Sequence, residues 1–363
     1  MPEHARAAVP ETLAERLFAA ARAGDVATLG ALLDAHPDAL LVRDRPYGAT
    51  LLHAAAHHGQ LRAVELLLDR GSDANVRERG DNTYPMHWAA AHGHLDVVRR
   101  LADAGGDVVG AGDDHQLEVI GWASCWEGMP GGVRRGVADF LVSRGARHHI
   151  FSAIALELED ELRSIVAADP GQLERPMSHN ENFQRPLHYA VRLQRPRLVA
   201  LLLQLGADPL VTDGSGFLAT AYARDPDTAR PILQAIRARG GALDLASAVG
   251  LGDWAAAEEL LRSGAPGPGA LHLMARQGNL PAVQWLLERG ADANALWAHW
   301  DADVTPLHLA VMMGHTEVAG LLVAAGADPG IRDSKHDADA IGWADYFGRR
   351  DMVELLTAGG EQA

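Results

Sequence analysis

Residues 305–328 read TPLHLAVMMGHTEVAGLLVAAGAD, and this stretch decides how the chain folds. Thr305 can cap a helix with its hydroxyl, and Pro306 at the first helical position supplies a fixed φ. Small Ala residues let this first helix approach its neighbours closely. Gly314 breaks the chain before a second, Leu-rich run that carries most of the apolar bulk. Gly326, just before Ala327 and Asp328, suits the left-handed conformation that ends a helix. The stretch therefore reads as two short helices joined by a tight turn.

The same skeleton returns elsewhere. Residues 270–293 read ALHLMARQGNLPAVQWLLERGADA, residues 186–208 read PLHYAVRLQRPRLVALLLQLGAD, and residues 85–104 read PMHWAAAHGHLDVVRRLADA. Aligning on the His of the Leu-His pair places anchors at Phe18, His53, His87, Gly121, Phe151, His188, Ala221, Ala246, His272, His308 and Gly342. Their successive separations are 35, 34, 34, 30, 37, 33, 25, 26, 36 and 34 residues. A period of this size marks a stack of supersecondary units, none of which buries its apolar face alone.

The recurring TPLH, Gly-His and Gly-Ala-Asp elements, in that order, resemble the ankyrin-repeat family, and the resemblance covers residues 12–358. It implies an all-α solenoid of about ten or eleven repeats, each a β-turn finger plus two helices. The expected organisation is an N-terminal capping repeat over 1–46, ankyrin repeats over 47–149, degenerate repeats over 150–268, and repeats with a C-terminal cap over 269–363. Separations of 25 and 26 leave no room for a full finger, so a bend or shallow point is expected between about 215 and 268. The segment CWEGMPGGVRRG (125–136) should lengthen the turn inside the fourth repeat. His87 to His308 and Gly121 to Gly342 both span 221 residues, and DDHQLEVIGWA (113–123) echoes SKHDADAIGWA (334–344). Partial duplication explains both.

Residues in register form columns. The resemblance implies a structural role for His53, His87, His188, His272 and His308, hydrogen-bonding neighbouring backbone, and a similar role for His94 and His315. Counting the anchor as the first residue, the second, fifth and sixth positions lie away from the buried Ala face. They hold His57, His58, Trp88, His92, Trp122, Trp126, Tyr189, Trp343, Tyr346 and Phe347. Aromatics form only 5 % of the chain, yet they gather here. The fingers add Tyr84, His115 and His336, and the long segment NALWAHWDADVTP (294–306) adds Trp297, His299 and Trp300. Trp88, Trp122 and Trp343 can serve either packing or ligand contact. Trp297, His299 and Trp300 point to partner contact, because loops rarely need two Trp for stability.

Charge narrows the partners. The chain carries 32 basic and 48 acidic residues, a formal −16, which repels phosphate backbones and argues against nucleic-acid binding. One cysteine, Cys125, excludes a disulfide framework within the chain. It is expected to be buried and inert. No apolar run reaches membrane-spanning length, and the first residues carry no secretion signal, so a cytoplasmic protein is expected. His57, His58, His92 and His115 share one face, but no carboxylate stands at ligand spacing with them, so neither a metal nor a cofactor is expected. No nucleophile elbow, phosphate loop or paired-carboxylate motif is present. The expected function, which the resemblance implies, is non-catalytic: a monomeric scaffold holding another protein in a concave groove. The alternative is a small-molecule or metal-assisted site, with a possible enzymatic role, built from the His- and Trp-bearing fingers.

Overall fold

A computed structural model describes residues 11–45, 47–125, 131–264, 267, 269–299 and 302–360. Twenty-one α-helices lie among them, with one short antiparallel hairpin. The chain divides into two compact blocks, Met1–Ile165 and Val166–Ala363.

In the N-terminal block the helices come in pairs: α1 (Glu11–Ala23) with α2 (Val26–Ala35), α3 (Leu51–His57) with α4 (Leu61–Asp69), α5 (Pro85–Ala91) with α6 (Leu95–Asp103), α7 (Glu118–Cys125) with α8 (Gly131–Ser143), and α9 (Ile150–Ala155) with α10 (Glu159–Ala168), whose last residues cross the block boundary. In α3, α5, α7 and α9 the first member of the pair is almost wholly buried: Leu51, Leu52, Ala54, Ala55 and Ala56 in α3 have neighbours on every side. The second member is amphipathic, and α4 turns Ala63, Val64 and Leu67 inward. One continuous apolar core runs from Leu17 to Leu156 between the two layers. Each fully buried Leu or Val in it contributes about 1.5–3 kcal/mol before chain entropy is counted. The segment expected to lengthen the turn of the fourth repeat lies largely at residues 126–130, between α7 and α8, outside the described residues.

The C-terminal block continues with α11 (Pro186–Arg192) and α12 (Pro196–Leu205). In the seventh repeat a 3₁₀ turn, Ala219–Tyr222, stands where an inner helix would be, followed by α13 (Pro226–Ala238). Then come α14 (Leu245–Gly250) with α15 (Trp254–Arg262), α16 (Ala270–Gln277) with α17 (Leu280–Glu288), α18 (Pro306–Met313) with α19 (Thr316–Ala324), and α20 (Ala340–Tyr346) with α21 (Arg350–Gly360). Only residues 239–244 separate α13 from α14, whereas residues 70–84 separate α4 from α5. The two short repeats therefore lack fingers, as their spacing predicts. Strands β1 (Trp297–His299) and β2 (Ala302–Val304) pair antiparallel, Trp297 opposite Val304, so the long finger before α18 is a β-hairpin.

Where the anchor is a histidine, it staples its repeat to the next finger. His53 accepts the Thr50 backbone N–H at Nδ1 (3.2 Å), which leaves Nε2–H to donate to the Thr83 carbonyl (3.2 Å). His87 bonds Tyr84 N–H and Gly110 O in the same way, and His188 bonds Arg185 N–H and Phe217 O. His308 repeats the pattern with Thr305 and Ala338. Burial holds His53 down to about 3, and His87, His188 and His272 to about 4, so these rings are neutral. A second set of staples runs backwards. His94 donates from Nε2 to His57 O (3.0 Å), and His315 to Arg276 O (3.1 Å). Each sits over a glycine of the preceding repeat: a Cβ on Gly59 would stand 2.5 Å from His94 Nδ1, and one on Gly278 2.7 Å from His315 Nδ1. Both glycines also have positive φ, +66° and +71°, so only glycine meets both demands.

Candidate functional site

The aromatic column next to the anchor is built into the fingers. In four repeats an acid at the base of the finger bonds the finger's own backbone N–H groups and takes the ring's polar hydrogen, directly or through a hydroxyl. Asp113 accepts from Leu117 N–H, Glu118 N–H and the indole of Trp122 (3.1 Å). Asp333 accepts from Lys335, His336 and Ala338 N–H and from the Trp343 indole (2.9 Å). In the third repeat the relay has one more step: Trp88 donates to Thr83 Oγ1 (2.8 Å), whose hydroxyl donates to buried Glu78 (2.8 Å). In the seventh, Tyr222 donates to Asp213, which also holds Ser215 and Phe217 N–H. Burial tends to raise Asp333, but the bonds from His336 N–H and Trp343 outweigh it and hold the carboxyl at about 2. At Asp213 burial wins and the pKa is raised. Trp122 and Trp343 are buried and bonded within their own repeats; Trp88 is half-buried.

One face of the N-terminal block keeps its rings in the open. The C-terminal ends of α3 and α5 bring His57 to 4.0 Å from His92, 4.7 Å from His58 and 5.4 Å from Trp88, ring centre to ring centre. His58 is exposed, and His57 and His92 are half-buried. The His58 ring bonds Ala54 O and the His92 ring bonds Trp88 O, each through Nδ1. Burial, then the nearby His92 and His58, hold His57 to about 4. At neutral pH this ring of the ladder is uncharged. The next step along the block is His115, which lies edge-on to Trp122 (5.1 Å) and pairs with Asp81 across the fingers (3.5 Å). Tyr84 lies under the Arg77 guanidinium (4.2 Å), which also donates to its hydroxyl (3.0 Å). Arg77 donates as well to Ala111 O in the following finger, so Tyr84 belongs to a finger-to-finger clasp.

The residues picked from the second long finger belong to the C-terminal block. Trp297 is turned inward, over Gly269 and against Phe217 (5.9 Å) and His272 (5.5 Å). The backbone of His299 lies in β1. Trp300 and Trp126 lie outside the described residues. His336 is exposed beside Asp333 (3.3 Å), and Tyr346, 83 % exposed, stacks edge-on with Phe347 (5.0 Å) at the last inner helix. Cys125 is buried.

Family signatures settle what this stack is. "Ankyrin repeats (3 copies)" matches residues 17–111, 245–333 and 271–362, more than half of the chain, and "Ankyrin repeat" matches residues 184–214. The chain is an ankyrin-repeat protein. Among curated ankyrin-bearing relatives, it is 31 % identical to the p105 subunit of nuclear factor NF-kappa-B from Gallus gallus over 173 residues, covering 42 % of this chain and 17 % of that protein. It is 41 % identical to the ARF GTPase-activating protein GIT1 from Homo sapiens over 86 residues, covering 24 % and 11 %. It is 48 % identical to the 2-5A-dependent ribonuclease from Mus musculus over 54 residues, covering 15 % and 7 %. The chain thus spans less than a fifth of the length of each. Among solved structures, the human ASB11 ankyrin repeat domain aligns with a TM-score of 0.41 at 18 % identity, over 60 % of this chain and 96 % of that one.

Among the described residues of these ankyrin repeats, no group of three or more His, Cys, Asp and Glu is placed to hold a metal ion, and no helix is long and apolar enough to cross a membrane. The residues that sequence reasoning missed lie where the repeats are irregular. Arg192 and Arg276 both stand four residues beyond an anchor histidine, on α11 and α16. They line a pocket together with Gln184 and Tyr222. The short separations of 25 and 26 flanking Ala246 were the one available signal.

Proposed function

We propose that this ankyrin array is a non-catalytic protein-binding module, acting as a cytoplasmic monomer, and that its docking face is the ladder of His57, His58, Trp88 and His92. The observation that carries the reading is the joining of four rings from two adjacent repeats at 4.0–5.4 Å on a rigid inner face, with the ladder still open to solvent. Every repeat of the block is stapled to its neighbour, so docking here orders little of the scaffold and loses little entropy. The uncharged His57 imidazole and the Trp88 indole suit an apolar or cationic side chain, and the acidic balance of the chain favours a partner with a neutral or basic surface. His115 and Tyr84 extend the same face, while Tyr346 and His336 offer further contacts in the C-terminal block.

The test is affinity capture with the wild-type chain against His57→Ala/His58→Ala/His92→Ala, with circular dichroism to confirm that both are folded. A protein held by the wild type and released by the folded variant supports the ladder. A partner retained equally by both sinks it.

A further inference from the structure

Three imidazoles of the ladder, and a fourth beside it, crowd one face of the N-terminal block. His57 lies 4.0 Å from His92 and 4.7 Å from His58, and His94 is nearly parallel to His92 at 6.2 Å. The three rings around His57 are tethered to backbone by one nitrogen each. His58 and His92 use Nδ1, to Ala54 O (3.1 Å) and Trp88 O (2.9 Å), and His94 uses Nε2, to His57 O (3.0 Å). A carbonyl only accepts, so the tethered nitrogen carries a hydrogen whether or not the ring is charged, and a further proton adds at the other nitrogen. The rings therefore keep their places as they charge. The groups that face His57 are His58 at the end of its own helix, His92 and His94 from α5 and the turn behind it, and Arg22 from the end of α1. Asp96 of α6 faces His94. A charge on one ring is thus opposed by Arg22 and by any charge on the neighbouring rings. Burial is the first cause that holds His57 to about 4 and that lowers His94, so proton uptake falls to the two rings beside them.

We propose that the ladder is a proton-gated docking face: with its rings uncharged it accepts an apolar or cationic group of the partner, and mild acid turns it into a cationic patch that releases that group. The inference rests on the reading of the ladder as the docking face. Ring faces attract a cation, whereas an imidazolium a few ångströms away repels it and holds water against an apolar group. Linkage fixes the direction. A face that binds only when uncharged loses affinity as pH falls, because the free chain takes up a proton that the complex excludes. The rings come from two neighbouring repeats, so the gate acts where the partner sits and needs no movement of the scaffold.

Nuclear magnetic resonance of the full chain tests the proposal with benzyltrimethylammonium as the probe, an aromatic cation whose charge does not change with pH. Binding is followed on the His and Trp ring signals at pH 7.5 and 5.5, with circular dichroism confirming that the chain is folded at both. The expected result is a saturable shift of the His57, His58, His92 and Trp88 signals at pH 7.5, with an affinity about fivefold or more weaker at pH 5.5. His58→Phe/His92→Phe keeps two rings and removes their titrating nitrogens, so its affinity should change by less than about twofold over the same range. His58→Gln/His92→Gln takes its place if the Phe variant is not folded. Equal affinity of the wild type at both pH values overturns the gate and leaves the docking face standing. A pH dependence that the folded variant retains also overturns the gate, because the effect then comes from the charge of the whole chain. Ladder signals that stay fixed at pH 7.5 under millimolar probe overturn the docking chemistry and the gate with it.

Discussion

Mild acid should unstitch the array through its anchor histidines. In the folded chain His53 is held to about 3, and His87, His188 and His272 to about 4, while an unfolded imidazole titrates near 6.5. A depressed folded pKa means that the unfolded state binds more protons throughout the window between. Stability is therefore fully present above pH 6.5 and is lost as pH falls towards 4. At pH 5, about 1.5 units below the unfolded value, each neutral buried ring costs about 2 kcal/mol relative to pH 7. Two such rings per block give a loss of about 4 kcal/mol per block, a large share of the 5–15 kcal/mol typical of a whole domain. Asp213 and Asp244, both raised by burial in the C-terminal block, act in the opposite direction, so the N-terminal block should show the larger net loss. Urea titrations followed by circular dichroism at pH 7, 6 and 5 measure the loss, and amide exchange separates the blocks. A midpoint that stays constant from pH 7 to 5 would refute the neutral-staple account.

Two further perturbations probe the fingers. Asp333→Ala leaves the Trp343 indole and three backbone N–H groups without their acceptor, and should lower stability by about 3 kcal/mol or more, with the loss localised by amide exchange to the last two repeats. Gly269→Ala combines a φ of +81° with a Cβ 2.5 Å from the Trp297 ring. It should cost about 1–3 kcal/mol and displace Trp297, seen as a lower thermal midpoint with a red-shifted tryptophan emission; an unchanged spectrum and midpoint would contradict the packing described.

The fold was legible because each repeat is specified locally. A Thr cap, a Pro, a staple histidine and a helix-breaking glycine all act within a few residues, so TPLH and Gly-His can be read without knowing what lies next door. The aromatic column was legible as a column, but its meaning was not. Nothing in a string shows that the Trp122 indole turns back to Asp113, although an acid nine or ten residues before the ring recurs at Asp113 and Trp122 and again at Asp333 and Trp343. The pocket was the least legible. Gln184 and Trp297 are 113 residues apart and line one pocket across the short repeats between them. Such a juxtaposition is set by what the repeats omit, and a residue pattern records what is present. Trp297 likewise looked like a solvent-facing loop residue because the glycine that receives it, Gly269, belongs to the short link before α16.

The contact between Gln277 and Ala221 has a consequence for cooperativity. In a regular array each repeat touches only its nearest neighbours, so the energetics are those of a one-dimensional chain of links and any internal link can in principle be removed and the ends rejoined. Here a hydrogen bond and a ring contact reach past α14 and α15, tying the seventh repeat directly to the ninth and to the hairpin that follows it. Residues from about 213 to 304 then behave as a knot of three mutually dependent repeats inside an otherwise linear string. They open together or not at all, and excising the eighth would leave the seventh and ninth with contacts shaped for a spacer that is no longer there.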